Sequence, residues 1–192
     1  MVLVGQMKDL IMEKYICYYE EVVPHVLCND LINYGFNFQP STYSNQKGKT
    51  ENSEERVRME EVWIKNGNIY YNDIKAAFEY TIKKYSEEHS FFSVKHITDF
   101  RLSRYSKNGF MSNHCDNIHH SHGQQYGYPQ VSVLLFLNDN YKGGELFFEN
   151  ETFKMNALSS IIFTSGNENK HGIKTVLKGK RYTIPSWYKK CS

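Results

Sequence analysis

Several features that would assign this chain to a protein class are scarce in its sequence. The four cysteines, at positions 17, 28, 115 and 191, show no CxxC motif and no paired spacing, so no disulfide framework is predicted. No apolar run approaches the length of a membrane span, and residues 1–4 are too few and too uncharged for a signal peptide. The net charge of +2 is close to balance and does not indicate a nucleic acid or a membrane as partner. These scarcities favour a cytoplasmic protein.

The residues that are abundant fit a folded chain. Hydrophobic residues make up 40% of the 192 positions and aromatic residues 15%, which is typical of a globular protein with a sizeable core. We predict a single domain over residues 1–192, monomeric or weakly dimeric. Within it, residues 1–90 would provide strands and supporting helices, and residues 91–192 would form a β-rich core.

Apolar periodicity predicts two helices in the N-terminal half. One begins at Pro24, because the first turn of a helix tolerates proline. The other begins after Asn72, a residue type suited to the N-cap, and ends at about Glu88. The predicted elements around these helices are a short strand at Tyr15–Glu20, a long polar loop at 39–56, and a strand at Val57–Ile64 that ends at an Asn66-Gly67 turn.

From residue 91 onward the pattern changes to short strands separated by Gly, Asn and Asp turns. The predicted strands are 91–105, 131–138, 144–149, 159–164, 171–177 and 181–189. Many short strands with such turns are typical of a sandwich or a jelly roll. The predicted fold class is therefore mainly β with flanking helices (α+β).

A metal site is predicted from His114 and Asp116. Two residues apart on extended backbone, their side chains point to the same side. His171, from a distant strand, would complete a face of two imidazoles and one carboxylate on one ion. Such a face leaves roughly three positions of an octahedral ion open, as in non-haem Fe(II) oxygenases. Cys115 points to the opposite face, which predicts a packing role for it.

Arg181, ten residues after His171, is predicted to bind an acidic co-substrate. Its planar guanidinium suits a carboxylate, and Thr183 on the same strand face can add one hydrogen bond. Lys180 lies on the other face and is predicted to be solvated.

Three further histidines, His119, His120 and His122, follow the HxD pair. Either a second metal site or a substrate-facing or solvated loop would account for them.

The residues around these positions resemble those of a known family. The matching segments are Arg104-Tyr105, His114-Cys115-Asp116-Asn117, Val131–Asn138, Gly143-Gly144-Glu145-Leu146, His171, Gly179, Arg181 and Trp187. In these segments the C-terminal half, about residues 100 to 188, is similar to the 2-oxoglutarate/Fe(II) dioxygenases. Within that superfamily it resembles the prolyl 4-hydroxylase-like branch, in the small single-domain form of bacteria and phages.

The resemblance implies a double-stranded β-helix (jelly roll) with N-terminal helices supporting one sheet. It also implies Fe(II) held by His114, Asp116 and His171, with 2-oxoglutarate and O2 as co-substrates and ascorbate as a candidate reductant. Arg181 would then hold the C5 carboxylate of 2-oxoglutarate, and the Tyr105 hydroxyl would reach the co-substrate.

One position departs from the family pattern. Many relatives carry Tyr where this chain has Phe136, so Thr183, Ser132 or Tyr105 must replace the missing hydroxyl.

The reaction that the resemblance implies is hydroxylation of an unactivated C–H bond, coupled to decarboxylation of 2-oxoglutarate to succinate. A prolyl residue in a protein or peptide is the favoured substrate. The alternatives are a free amino acid, another side chain or another small molecule, and a non-catalytic jelly-roll binding module. A halogenase is disfavoured because Asp116 fills the position that halide needs. A phage-encoded chain would act in the host cytoplasm.

The polar loop at residues 41–56 is predicted to close over a bound polypeptide. It contains almost no apolar side chains, so it cannot fold by burial alone. We predict that Arg56 or Arg58 contacts the backbone of the peptide.

Overall fold

The computed structural model of the protein describes residues 15–44, 50–51, 55–89, 96–117, 129–149 and 151–189. The helices are α1 (His25–Asn33) and α2 (Tyr71–Glu88), with a 3-10 turn at Asn167–Asn169. The strands are β1 (Cys17–Tyr19), β2 (Gln39–Pro40), β3 (Tyr43–Ser44), β4 (Thr50–Glu51), β5 (Val57–Arg58), β6 (Glu60–Ile64), β7 (His96–Ile97), β8 (Phe100–Tyr105), β9 (Phe110–His114), β10 (Pro129–Phe136), β11 (Lys142–Gly143), β12 (Leu146–Phe148), β13 (Glu151–Phe153), β14 (Ser159–Thr164), β15 (His171–Ile173), β16 (Val176–Lys178) and β17 (Arg181–Lys189).

Two antiparallel sheets contain most of the strand residues that the structure describes. The major sheet has the order β1-β14-β10-β17-β8-β6-β2, with β7 added beside β17. The minor sheet has the order β13-β12-β15-β9-β5. Strands that are distant in sequence are neighbours in both sheets, as in a double-stranded β-helix. The predicted fold class and the fold that the resemblance implied are both confirmed.

Each face of the major sheet covers a separate apolar core. The outer face packs against α1 and α2, where Phe78 of α2 stacks on Phe100 of β8 with ring centroids 5.0 Å apart. The inner face packs against the minor sheet, where Phe136 of β10 and Phe148 of β12 belong to one buried cluster. Because side chains alternate along a strand, β10 and β14 supply apolar residues to both cores. Full burial of one such side chain stabilises the folded chain by about 1.5–3 kcal/mol. The two cores together therefore hold the major sheet, and with it the inner face, in place.

The second helix begins earlier than the sequence predicted. Asn72 is not its N-cap but lies within its first turn, since α2 begins at Tyr71. The side chain of Asn68 instead accepts a hydrogen bond from Tyr70 N at 3.0 Å. The apolar side of α2 packs on the sheet: Ile74, Ala77, Phe78, Thr81 and Tyr85 are buried, and Ile82 packs against the same core and is partly buried.

The predicted strand at Val57–Ile64 is two strands in two sheets. β5 pairs with β9 in the minor sheet, and β6 pairs with β8 in the major sheet. The chain passes from one sheet to the other at Met59, whose side chain lies in the inner core. A two-residue periodicity shows which residues are buried, but not which sheet they join.

Other strand boundaries also differ from the prediction. The region predicted as one strand at 91–105 contains two strands, β7 and β8, which residues 98–99 separate. Residues 91–95 lie outside the described residues. The strand predicted at 171–177 is interrupted between β15 and β16, and the sequence did not predict β9 or β13. The predicted polar loop contains three short strands. β2 pairs with β6, and β3 pairs with β4. Pro24 precedes α1, which starts at His25.

Some predictions concern residues that the structure does not describe. Residues 45–49 and 52–54 of the polar loop, the histidines at 119, 120 and 122, and Cys191 lie outside the described residues. The other three cysteines are free thiols. Among the described residues, no helix is both long enough and apolar enough to cross a membrane.

Candidate metal and co-substrate site

The two candidate histidine ligands are brought together by the pairing of β9 with β15. His114 is the last residue of β9 and His171 is the first residue of β15, and the two are direct partners in the antiparallel register. Their ring centroids lie 4.4 Å apart. Asp116 follows the end of β9, so it is not on the regular strand that the sequence argument assumed.

The three side chains converge on one point. His114 Nε2 lies 3.4 Å from Asp116 Oδ1, and His171 Nε2 lies 3.7 Å from Asp116 Oδ2. One ligand atom from each residue lies within 4.8 Å of the other two. Two imidazoles and one carboxylate on one face of an ion make the facial triad typical of non-haem Fe(II) sites. The donor set therefore fits Fe(II).

Backbone carbonyls determine which ring nitrogen of each histidine faces this point. His114 Nδ1 lies 2.9 Å from Ser112 O, and His171 Nδ1 lies 3.0 Å from Asn169 O. A carbonyl oxygen only accepts, so each Nδ1 carries the proton and donates it. In the neutral rings, the lone pair of each Nε2 is then directed toward Asp116 and is available to a metal ion.

Burial and mutual charge shift the protonation of the three groups. Burial, together with the charge of the nearby His114, lowers the pKa of His171 to about 4. Burial also opposes protonation of His114, but the hydrogen bond and the charge of Asp116 outweigh it and raise its pKa. Burial alone would raise the pKa of Asp116, yet the two histidines and Ser132 lower it. The carboxylate is therefore ionised at neutral pH, as a metal ligand must be.

Ser132 orients the carboxylate of Asp116. Its hydroxyl donates a hydrogen bond to Asp116 Oδ2 at 2.6 Å and lies 2.8 Å from Ser165 Oγ. Ser132 is fully buried on the inner face of β10. From the sequence, Ser132 is a candidate only to replace the hydroxyl missing at Phe136. The sequence feature that could have indicated the contact with Asp116 is the position of this serine within a run of apolar residues, Val131–Phe136.

Arg181 lies at the start of β17 and is 1% exposed. Its Nη1 donates to Thr183 Oγ1 at 3.2 Å, which agrees with the prediction that both residues share a face. Among the described residues, its Nε and Nη2 have no hydrogen-bond partner. A buried guanidinium with unpaired N–H groups fits a ligand with a carboxylate, because such groups are costly to leave unpaired.

Two aromatic rings enclose the guanidinium of Arg181. Its Cζ lies 5.1 Å from the ring centroid of Tyr105 and 5.4 Å from that of Phe136. The Tyr105 hydroxyl lies 4.0 Å from Met111 Sδ, which is a weak acceptor. Of the three candidates to replace the hydroxyl missing at Phe136, Thr183 contacts Arg181 directly and Tyr105 lies beside it. Ser132 is bonded to Asp116 instead.

Gly144 provides the space that Arg181 occupies. Its φ is +68°, and a Cβ built on it would lie 3.2 Å from Arg181 Cδ and 2.9 Å from Val176 Cγ2. The sequence predicted a turn at Gly143-Gly144, but not this close approach to the arginine.

A second cation on the inner face was not predicted. Arg101 of β8 is 8% exposed, and its Cζ lies 5.0 Å from the ring centroid of Trp187. Its Nη1 lies 3.7 Å from Glu61 Oε2, which also accepts a hydrogen bond from Ser41 Oγ at 2.8 Å. The positive charge of Arg101 opposes protonation of His114, but Asp116 outweighs this effect and the pKa of His114 is raised overall. An arginine in a strand gives no sign in the sequence of whether it faces solvent or a site.

Two neighbours of the site lie where the sequence placed them. Cys115 is partly exposed, and its Sγ contacts Asn167 Oδ1 at 3.5 Å, outside the group of three candidate ligands. Lys180 is exposed. The side chain of Trp187 is 3% exposed on the inner face.

The fold and the site together define a double-stranded β-helix protein with a two-histidine, one-carboxylate triad beside a buried arginine. Residues 100–189 match the family model of the 2OG-Fe(II) oxygenase superfamily. Over this region the chain is similar to that superfamily, whose cofactors are Fe(II), 2-oxoglutarate and O2. The matched region contains the triad, Arg181, Tyr105 and Thr183.

Known proteins similar to this chain include prolyl hydroxylases. Human prolyl 3-hydroxylase 2 is 39% identical over 70 residues, which cover 33% of this chain and 10% of that protein. The chain thus spans about a tenth of the length of the curated relative it matches. A prolyl-4-hydroxylase from Pseudomonas putida has a TM-score of 0.70 at 16% identity, with 96% of this chain and 97% of that chain covered. A prolyl hydroxylase from Trichoplax adhaerens, solved with a hypoxia inducible factor peptide fragment, has a TM-score of 0.68 at 19% identity, with 94% and 86% covered.

Proposed function

We propose that the chain is a 2-oxoglutarate- and Fe(II)-dependent dioxygenase that hydroxylates a prolyl residue in a protein or peptide. The observation that carries this proposal is the triad of His114, Asp116 and His171 together with a buried Arg181 whose Nε and Nη2 have no hydrogen-bond partner among the described residues. A jelly-roll module that only binds a partner would need neither feature. Both are costly in a protein interior without a ligand.

Each protein group has a distinct part in this reaction. His114, Asp116 and His171 would hold Fe(II), and the bound ion supplies the activation of O2 and the oxidation of the C–H bond. The carbonyls of Ser112 and Asn169 keep both imidazoles oriented.

Arg181 and Thr183 would bind the C5 carboxylate of 2-oxoglutarate, with Tyr105 beside it. Charge-assisted hydrogen bonds are strong in such a buried pocket, so they would place the 2-oxo acid end toward the iron. The enclosing rings of Tyr105 and Phe136 exclude water from the same pocket.

A prolyl substrate is supported by the relatives. The curated relative and both solved structures named above are prolyl hydroxylases, and one of them was solved with a peptide fragment. The matched curated proteins are prolyl 3-hydroxylases, whereas the similar solved structures include a prolyl-4-hydroxylase. The carbon of the proline ring that is hydroxylated is therefore to be determined by experiment. A cytoplasmic location, ascorbate as reductant and a monomeric or weakly dimeric state remain predictions.

One observation favours a free amino acid as the alternative substrate. Arg101 places a second buried cation on the inner face, beside Trp187, and its Nε has no hydrogen-bond partner among the described residues. Such a group suits the α-carboxylate of an amino acid. Glu61 offsets part of this charge at 3.7 Å, which is why the peptide is the main proposal.

The test is succinate formation with a panel of prolyl peptides and free amino acids, each with Fe(II), 2-oxoglutarate and O2. We expect succinate and a hydroxylated peptide in stoichiometric amounts, and mass spectrometry with hydroxyproline standards would identify the ring carbon. The Asp116→Ala variant serves as the inactive control. Turnover of free amino acids without turnover of any peptide would support the alternative. No coupled turnover with any substrate, by a chain that binds iron and 2-oxoglutarate, would contradict both.

A further inference from the structure

A second group of metal-binding side chains lies on the helix side of the major sheet. Cys17 belongs to β1, Glu88 is the last residue of α2, and His89 follows it. The Sγ, a carboxylate oxygen and an imidazole nitrogen of these residues lie within 4.8 Å of one another. We propose that Cys17, Glu88 and His89 form a second metal site, which binds Zn²⁺ or a similar divalent ion.

The distances between the candidate ligand atoms fit tetrahedral zinc. Cys17 Sγ lies 3.6 Å from Glu88 Oε2 and 3.4 Å from His89 Nε2. Zinc bonds of about 2.3 Å to sulfur and about 2.1 Å to nitrogen or oxygen, meeting at a tetrahedral angle, would place sulfur about 3.6 Å from either atom. An ion therefore fits among these three atoms with little movement of their side chains.

The ligands are held by folded elements that are far apart in sequence. Cys17 is fixed by the pairing of β1 with β14, where it is the partner of Ile162. His89 N donates to Tyr85 O at 2.9 Å, and the Tyr85 hydroxyl donates to Tyr15 O at 3.1 Å. The His89 ring also packs against Tyr85, with centroids 4.5 Å apart. Preorganised ligands of this kind reduce the cost of binding an ion.

Tyr19 is a second, independent sign of a ligand at this place. It lies two residues after Cys17 on the same strand face and is 8% exposed. Its hydroxyl has no partner with good hydrogen-bond geometry among the described residues, and it lies close to Cys17 and Glu88. A buried hydroxyl beside three ligands provides the fourth position, directly or through a water molecule.

A metal ion at this place would be bound by the thiolate of Cys17. On binding a zinc-class ion, the S–H bond breaks, the sulfur–metal bond forms and the proton leaves to solvent. The ion would link β1 at the edge of the major sheet to the end of α2, a structural role that is independent of the proposed hydroxylation.

The test is an anaerobic titration of the metal-free full-length chain with Co²⁺ under reducing conditions. We expect two ions per chain and a sulfur-to-cobalt charge-transfer band in the near ultraviolet. His114, Asp116 and His171 contribute no sulfur, so the band reports on the second site. Cys17→Ser should remove the band and one of the two ions. Glu88 lies at the exposed end of α2, and Glu88→Gln removes a proposed ligand. We expect this variant to lower the Co²⁺ affinity of the second site by more than about tenfold, which is the smallest loss typical of removing a residue that only orients a ligand.

Three further variants make the assignment specific. Cys28→Ser and Cys115→Ser should keep the band, because neither residue belongs to the proposed site. His171→Ala should lose the other ion and keep the band. In that background, Zn²⁺ at a hundredfold excess over its dissociation constant should raise the unfolding midpoint by roughly 5–10 °C, and adding Cys17→Ser should abolish the shift. A wild-type chain without the band, or a band that survives Cys17→Ser, would overturn the proposal.

Discussion

The Ser132 hydroxyl donates a hydrogen bond to Asp116 Oδ2 at 2.6 Å, and this contact connects the middle of the major sheet to the candidate metal site. Both groups are shielded from bulk solvent. Ser165, which directly follows the neighbouring strand β14, contacts the Ser132 hydroxyl with its own hydroxyl. The orientation of the carboxylate is therefore set by a residue that is not itself a candidate ligand. Such outer contacts commonly control metal affinity as strongly as the spacing of the ligands does.

We expect Ser132→Ala to weaken Fe(II) binding about 10- to 100-fold, because Asp116 loses the partner that orients it. Anaerobic Fe(II) titration measures this. Ser186→Ala is the matched control, since Ser186 is equally buried but its hydroxyl contacts Thr98 instead. Equal iron affinity for the two variants would contradict the orienting role.

The wild-type chain should bind one Fe(II) through His114, Asp116 and His171, and Mn²⁺ or Zn²⁺ should replace the iron without supporting activity. His114→Ala and His171→Ala should each lose stoichiometric binding at this site. Asp116→Ala should abolish turnover, because it removes a ligand and a neutralising charge together. Iron titration with a succinate assay tests these variants, and Cys115→Ala should behave as wild type in the titration. Unchanged iron affinity in either histidine variant would refute the ligand assignment.

Arg181→Ala should raise the concentration of 2-oxoglutarate needed for half-maximal turnover at least about tenfold. Removing one partner of a buried charged pair costs roughly 2–5 kcal/mol, which is more than a tenfold effect requires. Lys180→Ala is the control, because Lys180 is adjacent in sequence but exposed. Initial rates at varied 2-oxoglutarate give the comparison. If both variants lost affinity equally, the assignment of Arg181 to the pocket would fail.

Phe136→Tyr should lower the 2-oxoglutarate requirement roughly two- to tenfold, the value of one net hydrogen bond. The Phe136 ring lies 5.4 Å from Arg181 Cζ, so an added hydroxyl enters the proposed carboxylate pocket. Phe100→Tyr, which adds the same atom to a buried ring on the helix side, should leave this requirement unchanged. Calorimetric 2-oxoglutarate binding would measure the change. Weaker binding in a folded Phe136→Tyr chain would show that Thr183 and Tyr105 already fill the place of the missing hydroxyl.

Gly144→Ala should destabilise the chain and also weaken 2-oxoglutarate binding, because the new Cβ would press on Arg181 Cδ and Val176 Cγ2. Gly67→Ala is the control that separates the loss of stability from the loss of 2-oxoglutarate binding. Gly67 also has a positive φ, of 98°, but among the described residues no atom lies within 4 Å of the place that its Cβ would take. Both variants carry a backbone cost of about 1–2 kcal/mol, measured by denaturant unfolding. Only Gly144→Ala should alter the 2-oxoglutarate requirement, and an equal effect of Gly67→Ala would refute the packing argument.

Much of the candidate site followed from the sequence because it depends on local spacing. Arg181 and Thr183 share a face because side chains alternate along a strand, and they contact each other as predicted. The spacing of His114 and Asp116 likewise indicated one metal face, although Asp116 lies just beyond the strand. The apolar face of α2 was predicted from its periodicity for the same reason.

The tertiary structure alone decided which distant residues meet. Ser132 reaches Asp116, Gly144 admits Arg181, and Cys17 meets His89 only when the strands pair and the helix packs. Periodicity records whether a side chain is buried, but it does not record which element covers it. That is why Val57–Ile64 was predicted as one strand and is divided between two sheets. The sequence by itself determined the chemistry of the ligands and their faces, whereas pairing across long chain separations determined their partners, because each such contact depends on the packing of the whole fold.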